Sequence, residues 1–259
     1  TLAKLMSATV TGMMAGQWFG GWAAESLGWR AAFMVLSGMF AAAAALLYVQ
    51  MGPVRRATPM RTEGSYWRQA LSGLALLRVP RVRWVLAVTG IEGALAFGTL
   101  AFVPSQLVQH FGVSAAVAGA LMALYGIGGL AYSQMARRWL GWFGERGLAR
   151  LGSALVAAGL VLLAWTEHVA WAATGCLSAG LGFYMLHNTL QTQATQMAPE
   201  ARGSAVTLFA CMLFFGQSAG VLVAAQTVDR GGLDWAYTAS ALGMLVLGAV
   251  VARRVQAKA

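Results

Sequence analysis

The amino-acid sequence predicts an all-α, polytopic membrane protein, and three observations carry that expectation. Apolar residues fill 59% of 259 positions and charged residues only 10%, against roughly 25% charged in an ordinary soluble domain. Stretches of the length a membrane crossing needs, about 20 mostly apolar residues, recur to the end of the chain. The basic residues between them alternate: one set of breaks is rich in Lys and Arg, and the opposite set contains only Arg30 and Arg230.

Eight stretches qualify, at approximately 5–24, 31–49, 84–107, 116–136, 148–166, 169–190, 203–226 and 235–252. Lipid offers backbone groups no partner, so each is a helix unless the whole forms a closed barrel. Ala41–Leu47 and Leu155–Trp165 are unbroken apolar runs without the alternation of a barrel strand. Helices are therefore expected throughout. Abundant glycine, 32 residues, suits close approach between membrane helices. Trp84, Trp139, Trp142, Trp165 and Trp171 stand near span ends, where interfacial aromatics gather.

The long break after the second stretch, 51–82, carries Pro53, Pro59 and four arginines by position 68. Trp67, Leu71, Leu74 and Leu77 follow at helical spacing and fit either a surface-lying amphipathic helix or a basic linker. Pro80 closes that segment before the third stretch. The basic set runs from Lys4 through Arg55, Arg56 and Arg137 to Lys258, which places it in the cytoplasm with both chain ends. The expected location is the inner membrane.

Several function classes drop out. The formal charge of +10 is spread over short breaks rather than gathered on one face, so no nucleic-acid partner is expected. Cys176 and Cys211 lie inside apolar runs without ligand spacing, so neither a metal site nor a disulfide framework is expected. With no Walker-type loop and no nucleophile elbow, neither a cofactor nor ATP-driven transport is expected. The chain opens at Thr1, almost directly in an apolar segment, as a fragment or mid-chain start would.

An internal repeat gives the order of the spans meaning. Gly16-Gln17-Trp18-Phe19-Gly20 in the first span recurs as Gly216-Gln217-Ser218-Ala219-Gly220 in the seventh. Each copy is followed by a short break and a span led by Trp29 or Trp235. Parallel six-helix repeats build one large transporter architecture.

These residues resemble the major facilitator superfamily, and within it the drug:proton antiporter branch. The run Gly12-Met-Met-Ala-Gly16-Gln17-Trp-Phe-Gly20-Gly21 is similar to that branch's fifth-helix antiporter motif, with Gln17 where the family has proline. Leu27-Gly28-Trp29-Arg30-Ala-Ala-Phe33 resembles the entry to the sixth helix, and Pro199-Glu200-Ala201-Arg202-Gly203 the loop between the tenth and eleventh. In the acidic and basic loop signature Gly144 fits, whereas Gly141 and Trp142 stand where Asp and Arg belong. The resemblance implies helices five to twelve of a major facilitator-type bundle. Residues 1–50 would be the last two helices of the N-terminal half, 51–82 a cytoplasmic linker, and 83–259 the complete C-terminal six-helix half. The missing N-terminal helices of the same polypeptide would be a partner, as would lipid, a small-molecule solute and protons.

Gly12, Gly16 and Gly20 recur every four residues, so with Gly21 they are expected to form a close helix contact. That contact either seals a transport route or is packing alone. Glu92 is the one acid remote from span ends, nine residues past Arg83 and so roughly 13 Å deep. A carboxyl at that depth is costly and marks a functional candidate by default, here for protons or a cation; the alternative is a protonated packing residue. His187 and Gln191 share one helix face, as do Asn188 and Thr192. Gln17, His187, Asn188, Gln191 and Gln217 are candidate cavity-lining residues, although the cluster from His187 also fits a helix end meeting water.

The implied function is proton-coupled efflux of a drug-like or sugar-like solute by alternating access. An uptake symporter or facilitator is the alternative within transport. A membrane-embedded enzyme or a non-transporting subunit is the alternative outside it. An enzyme would need a second acid or His within reach of Glu92.

Overall fold

A computed structural model describes residues 2–57 and 73–255, with the side chains of 2–10, 13 and 52–57 apart. The main α-helical elements among the described residues are, in order, α1 (Leu2–Ser26), α2 (Trp29–Ala57), α3 (Pro80–Leu100), α4 (Val103–Phe111), α5 (Ala115–Trp165), α6 (Val169–Gln196), α7 (Arg202–Gly231) and α8 (Leu233–Arg254). Short 3-10 turns, Leu76–Arg78 and Pro199–Ala201, lead into α3 and α7. Six helical segments among the described residues are long and apolar enough to cross a membrane. The chain is an all-α, multi-pass membrane bundle.

Two expected boundaries are corrected. The predicted stretch 84–107 is two helices, because α3 ends at Leu100 and Pro104 sits in the first turn of α4; proline has no N–H to continue a helix but suits its start. The predicted break after 136 is nearly absent. Helix continues to Gly144, whose φ of 61° and ψ of 175° interrupt α5, in a region open essentially to glycine alone. At 51 residues, α5 would measure about 75 Å if straight, more than twice a hydrocarbon core. It folds back instead. A Cβ on Gly128 would meet the Leu177–Leu181 stretch of α6, and one on Gly152 would meet Gly182 and Leu186. Both arms of α5 thus lie against the same part of α6, and two of the expected spans are these arms. The end of the possible amphipathic helix is present as helical residues 73–75 running into the 3-10 turn at Leu76–Arg78; Trp67 and Leu71 lie outside the described residues.

Small residues set the packing. Gly159 of α5 meets Gly175 and Ala179 of α6, and Gly98 of α3 meets Gly220 of α7. Where lipid is as apolar as leucine, such backbone approach supplies the dispersion contacts that hold helices together. Leu107, Leu160, Leu186 and Met244, fully buried, fill the layer between α4, α5, α6 and α8. Hydroxyls inside the helices bond back to their own turn, as Thr89 Oγ1 does to the Val85 carbonyl at 2.8 Å, which satisfies them without water. α1 leans on the first arm of α5, and α2 packs on α1.

The two ends of the bundle carry different chemistry. At one end Arg81 of α3 donates to Gln193 of α6 at 3.1 Å, Gln193 donates to Glu145 of α5 at 2.9 Å, and Arg146 donates to the Val255 carbonyl at 2.8 Å. At the far end the Ala116 N–H donates to Glu25 of α1 at 2.8 Å, and Trp165 packs edge-on against Trp235. Residues from alternate breaks therefore meet at opposite ends, as the charge sorting requires.

Candidate functional site

Glu92 is the thirteenth residue of α3 and has no exposed surface. Glycine at 90 and 93 lets α7 press against α3 at this level. A Cβ on Gly93 would run into the Leu213 carbonyl, and one on Gly216 into the Gly90 carbonyl. The carboxyl is thereby closed off on the α7 side. On the other side, His187 Nδ1 of α6 stands 3.0 Å from Glu92 Oε2. Either the ring N–H donates to a carboxylate or the carboxylic acid donates to the ring nitrogen, so one proton links two helices in both cases. The second carboxyl oxygen, Oε1, is shielded and has no hydrogen-bond partner among the described residues.

Aromatic rings fix the imidazole. Phe183, one turn earlier on α6, stacks on it at 5.0 Å with the planes 15° apart, and Phe209 of α7 lies 5.2 Å away on centroids. Only 16% of the His187 side chain is exposed. The surroundings are thus dry and polarisable, and a charge created on either partner is felt strongly by the other. The next residue, Asn188, donates to the Tyr132 hydroxyl at 2.8 Å. Gln191 is half-buried on the same helix.

A cavity of about 500 Å³ opens toward the far end, between α1, α3, α4, α5 and α7. Gln17 and Gln217 both line it, with Gly16, Gly20, Phe97 and Met122. Phe97 is also its link to the buried pair, because its ring meets Phe183 edge-on at 4.8 Å. A second cavity of about 350 Å³ lies at the basic end, lined by Arg81, Trp84, Glu145, Gln193 and Arg254.

Comparison with known proteins decides the family. The model described as Major Facilitator Superfamily matches residues 1–221. The chain belongs to the major facilitator superfamily. It is similar to a protein named MFS-type efflux pump from Mycolicibacterium smegmatis, at 27% identity over 214 residues, covering 76% of this chain and 46% of that protein. It is also similar to a protein named chloramphenicol resistance protein from Streptomyces lividans, at 29% identity over 244 residues, covering 88% of this chain and 57% of that one. The chain thus spans about half the length of the curated relatives it matches. Family and relatives indicate transport rather than catalysis, even though His187 supplies the second ionisable group that an embedded enzyme would need.

Within this member of the superfamily the expected site residues separate. Glu92 and His187 come together; Gln17 and Gln217 share the far-end cavity. Asn188 turns to Tyr132 instead of to the pair. The glycine run needs a correction. Among the described residues, a Cβ on Gly12, Gly16 or Gly20 would meet no atom within 4 Å, whereas one on Gly21 would collide with the Ala115 carbonyl of α5. The tight α1–α5 contact therefore sits at Gly21, one position off the four-residue stripe, and Gly16 and Gly20 border the cavity. Their counterparts Gly216 and Gly220 do pack tightly, on α3. Phe209 escaped the sequence reading because it joins the site from another helix. Phe183 carried a readable signal, being four residues before His187 on one face.

Proposed function

We propose that this chain is part of a secondary transporter that exports a small organic solute by alternating access, in exchange for protons handled at Glu92 and His187. The observation that carries this reading is a carboxyl without exposed surface, 3.0 Å from an imidazole on a different helix. Such a pair changes its proton content with little cost only when helix movement admits water, so proton uptake and release follow the conformational cycle. Membrane-embedded acids paired in this way serve as proton relays. The efflux direction is supported by the name of one relative, an MFS-type efflux pump, and the antiporter-like run from Gly12 to Gly21 agrees with it. The basic end, rich in arginine, is assigned to the cytoplasm together with the C-terminus.

The test uses the full-length parent in inverted vesicles, with chloramphenicol as the first solute tried. Glu92→Gln lowers uptake driven by the pH gradient at least tenfold while membrane expression is unchanged. Efflux at the parental rate removes Glu92 from the mechanism. Counterflow in right-side-out and inverted vesicles separates export from uptake or facilitated diffusion.

A further inference from the structure

We propose that Tyr125 is the positioning residue of the buried pair: its hydroxyl donates to Glu92 Oε1 and so keeps the exchangeable proton on Oε2, the oxygen that faces His187. This rests on the transport reading and adds a third group to its proton site. Tyr125 lies on the first arm of α5. Its hydroxyl oxygen, like Glu92 Oε1, is shielded and has no hydrogen-bond partner among the described residues. Both atoms are already enclosed by helices of this chain, so neither is open to a partner from segments outside it. The hydroxyl stands close enough for the Glu92 charge to bear on it. A donor and an acceptor, each costly to leave unpaired, thus share one layer of the bundle.

Helix packing brings the tyrosine to this place. A Cβ on Gly180 of α6 would collide with the Tyr125 carbonyl, so the two backbones touch there. Gly180, Phe183 and His187, spaced by three and four residues, share one face of α6. The face that seats Tyr125 therefore also carries the imidazole. The Tyr125 ring lies 5.9 Å from Phe183 and 6.4 Å from Phe97 of α3 on centroids. A phenylalanine would keep those ring contacts without burying a hydroxyl, which is costly when unpaired. Packing thus accounts for the ring, and the carboxyl accounts for the oxygen. His187 Nδ1 stands 3.0 Å from Oε2, so a hydrogen bond from the tyrosine to Oε1 makes Oε1 the carbonyl oxygen of the acid. The proton is then confined to the line between Oε2 and Nδ1, and the hydroxyl keeps its own. Whether the tyrosine reaches Oε1 directly or across one water, Oε1 is the acceptor.

Infrared difference spectra of the full-length protein in nanodiscs, taken between acid and alkaline pH, test this. The Glu92 carboxyl band is the one that Glu92→Gln removes. In Tyr125→Phe that band is expected at higher wavenumber than in the parent, because a carbonyl that loses a hydrogen bond stiffens. Uptake of chloramphenicol into inverted vesicles, driven by the pH gradient, falls about tenfold, the worth of roughly one buried hydrogen bond. Fluorotyrosine placed at position 125 has a more acidic hydroxyl and donates more strongly, so it moves the band the other way, a displacement that lost packing would not give. Tyr237→Phe is the control. That hydroxyl on α8 is also buried without a partner among the described residues, and its removal leaves band and uptake unchanged. Parental band position in both Tyr125 variants overturns the assignment whatever the transport rate. So does a parent without a carboxyl band that depends on Glu92. A displaced band with efflux indifferent to Glu92→Gln would retain Tyr125 on the carboxyl and defeat the transport reading; a parental band with Glu92-dependent, pH-driven efflux would do the reverse.

Discussion

Glu92 can remain inside a helix bundle only if its charge is neutralised or shared, and His187 provides that condition. Removing the imidazole alone would strand the carboxyl, and breaking a buried pair from one side typically costs about 3–5 kcal/mol. His187→Ala is therefore expected to lower the melting temperature of the full-length protein more than Glu92→Gln, whose amide can still bond to the ring. The double variant Glu92→Gln with His187→Ala should lose less than the two single losses summed. Additive losses in that cycle would show that the two groups are energetically independent. Glu25 behaves differently, at the far end. The Ala116 N–H and the Ser114 hydroxyl hold its exposed carboxyl below the usual carboxylate range. The charged form is thus the one favoured by folding, so its contribution is complete above the ordinary value, about 4.3, and is lost as pH falls through the lowered one. Thermal unfolding of the full-length protein should therefore become slightly easier only in that acid window. Glu25→Gln should abolish the pH dependence; a response that survives it would assign the effect elsewhere.

At the scale of helices, glycine position decides which contacts are strict. Gly21→Ala should destabilise the α1–α5 contact because the new methyl meets the Ala115 carbonyl, while Gly20→Ala should not, since nothing stands within 4 Å. Thermal unfolding of the two variants side by side separates them, and equal stability would contradict the packing described. Gly144→Ala tests the fold-back of α5. An alanine forced to φ 61° and ψ 175° costs about 1–3 kcal/mol, so the variant should unfold earlier or straighten the hinge. The stripe Gly12–Gly16–Gly20 was legible as a pattern, but its role was not: a four-residue spacing defines a helix face without saying what covers it. The same limit applies to Gly216 and Gly220, whose identical spacing ends in tight contact with α3.

For the molecule as a whole, the reading requires alternate connections to face opposite sides of a membrane. Reporter tags inserted at Glu167 and after Arg254 of the full-length protein should show opposite compartments, with the Arg254 tag cytoplasmic. Tags reporting one compartment would break the arrangement of spans. Most of this scale was legible from sequence, because lipid penalises any unpaired backbone group and so forces each long apolar run into a helix. The break at Pro104 and the near-continuous α5 were not, since local breaks in helix depend on single residues whose effect neighbours can override.

By itself, then, the sequence determined the membrane setting and the helical class and singled out Glu92 inside an apolar run, each of which follows from composition and spacing along one chain. Tertiary structure alone decided that His187 reaches Glu92 across 95 positions of chain, that Gln17 and Gln217 face one cavity, and that Gly21 carries the contact expected of its neighbours. Those are facts about which helix faces meet, and helix rotation in lipid is set by packing between small residues on several helices together, which no single segment encodes.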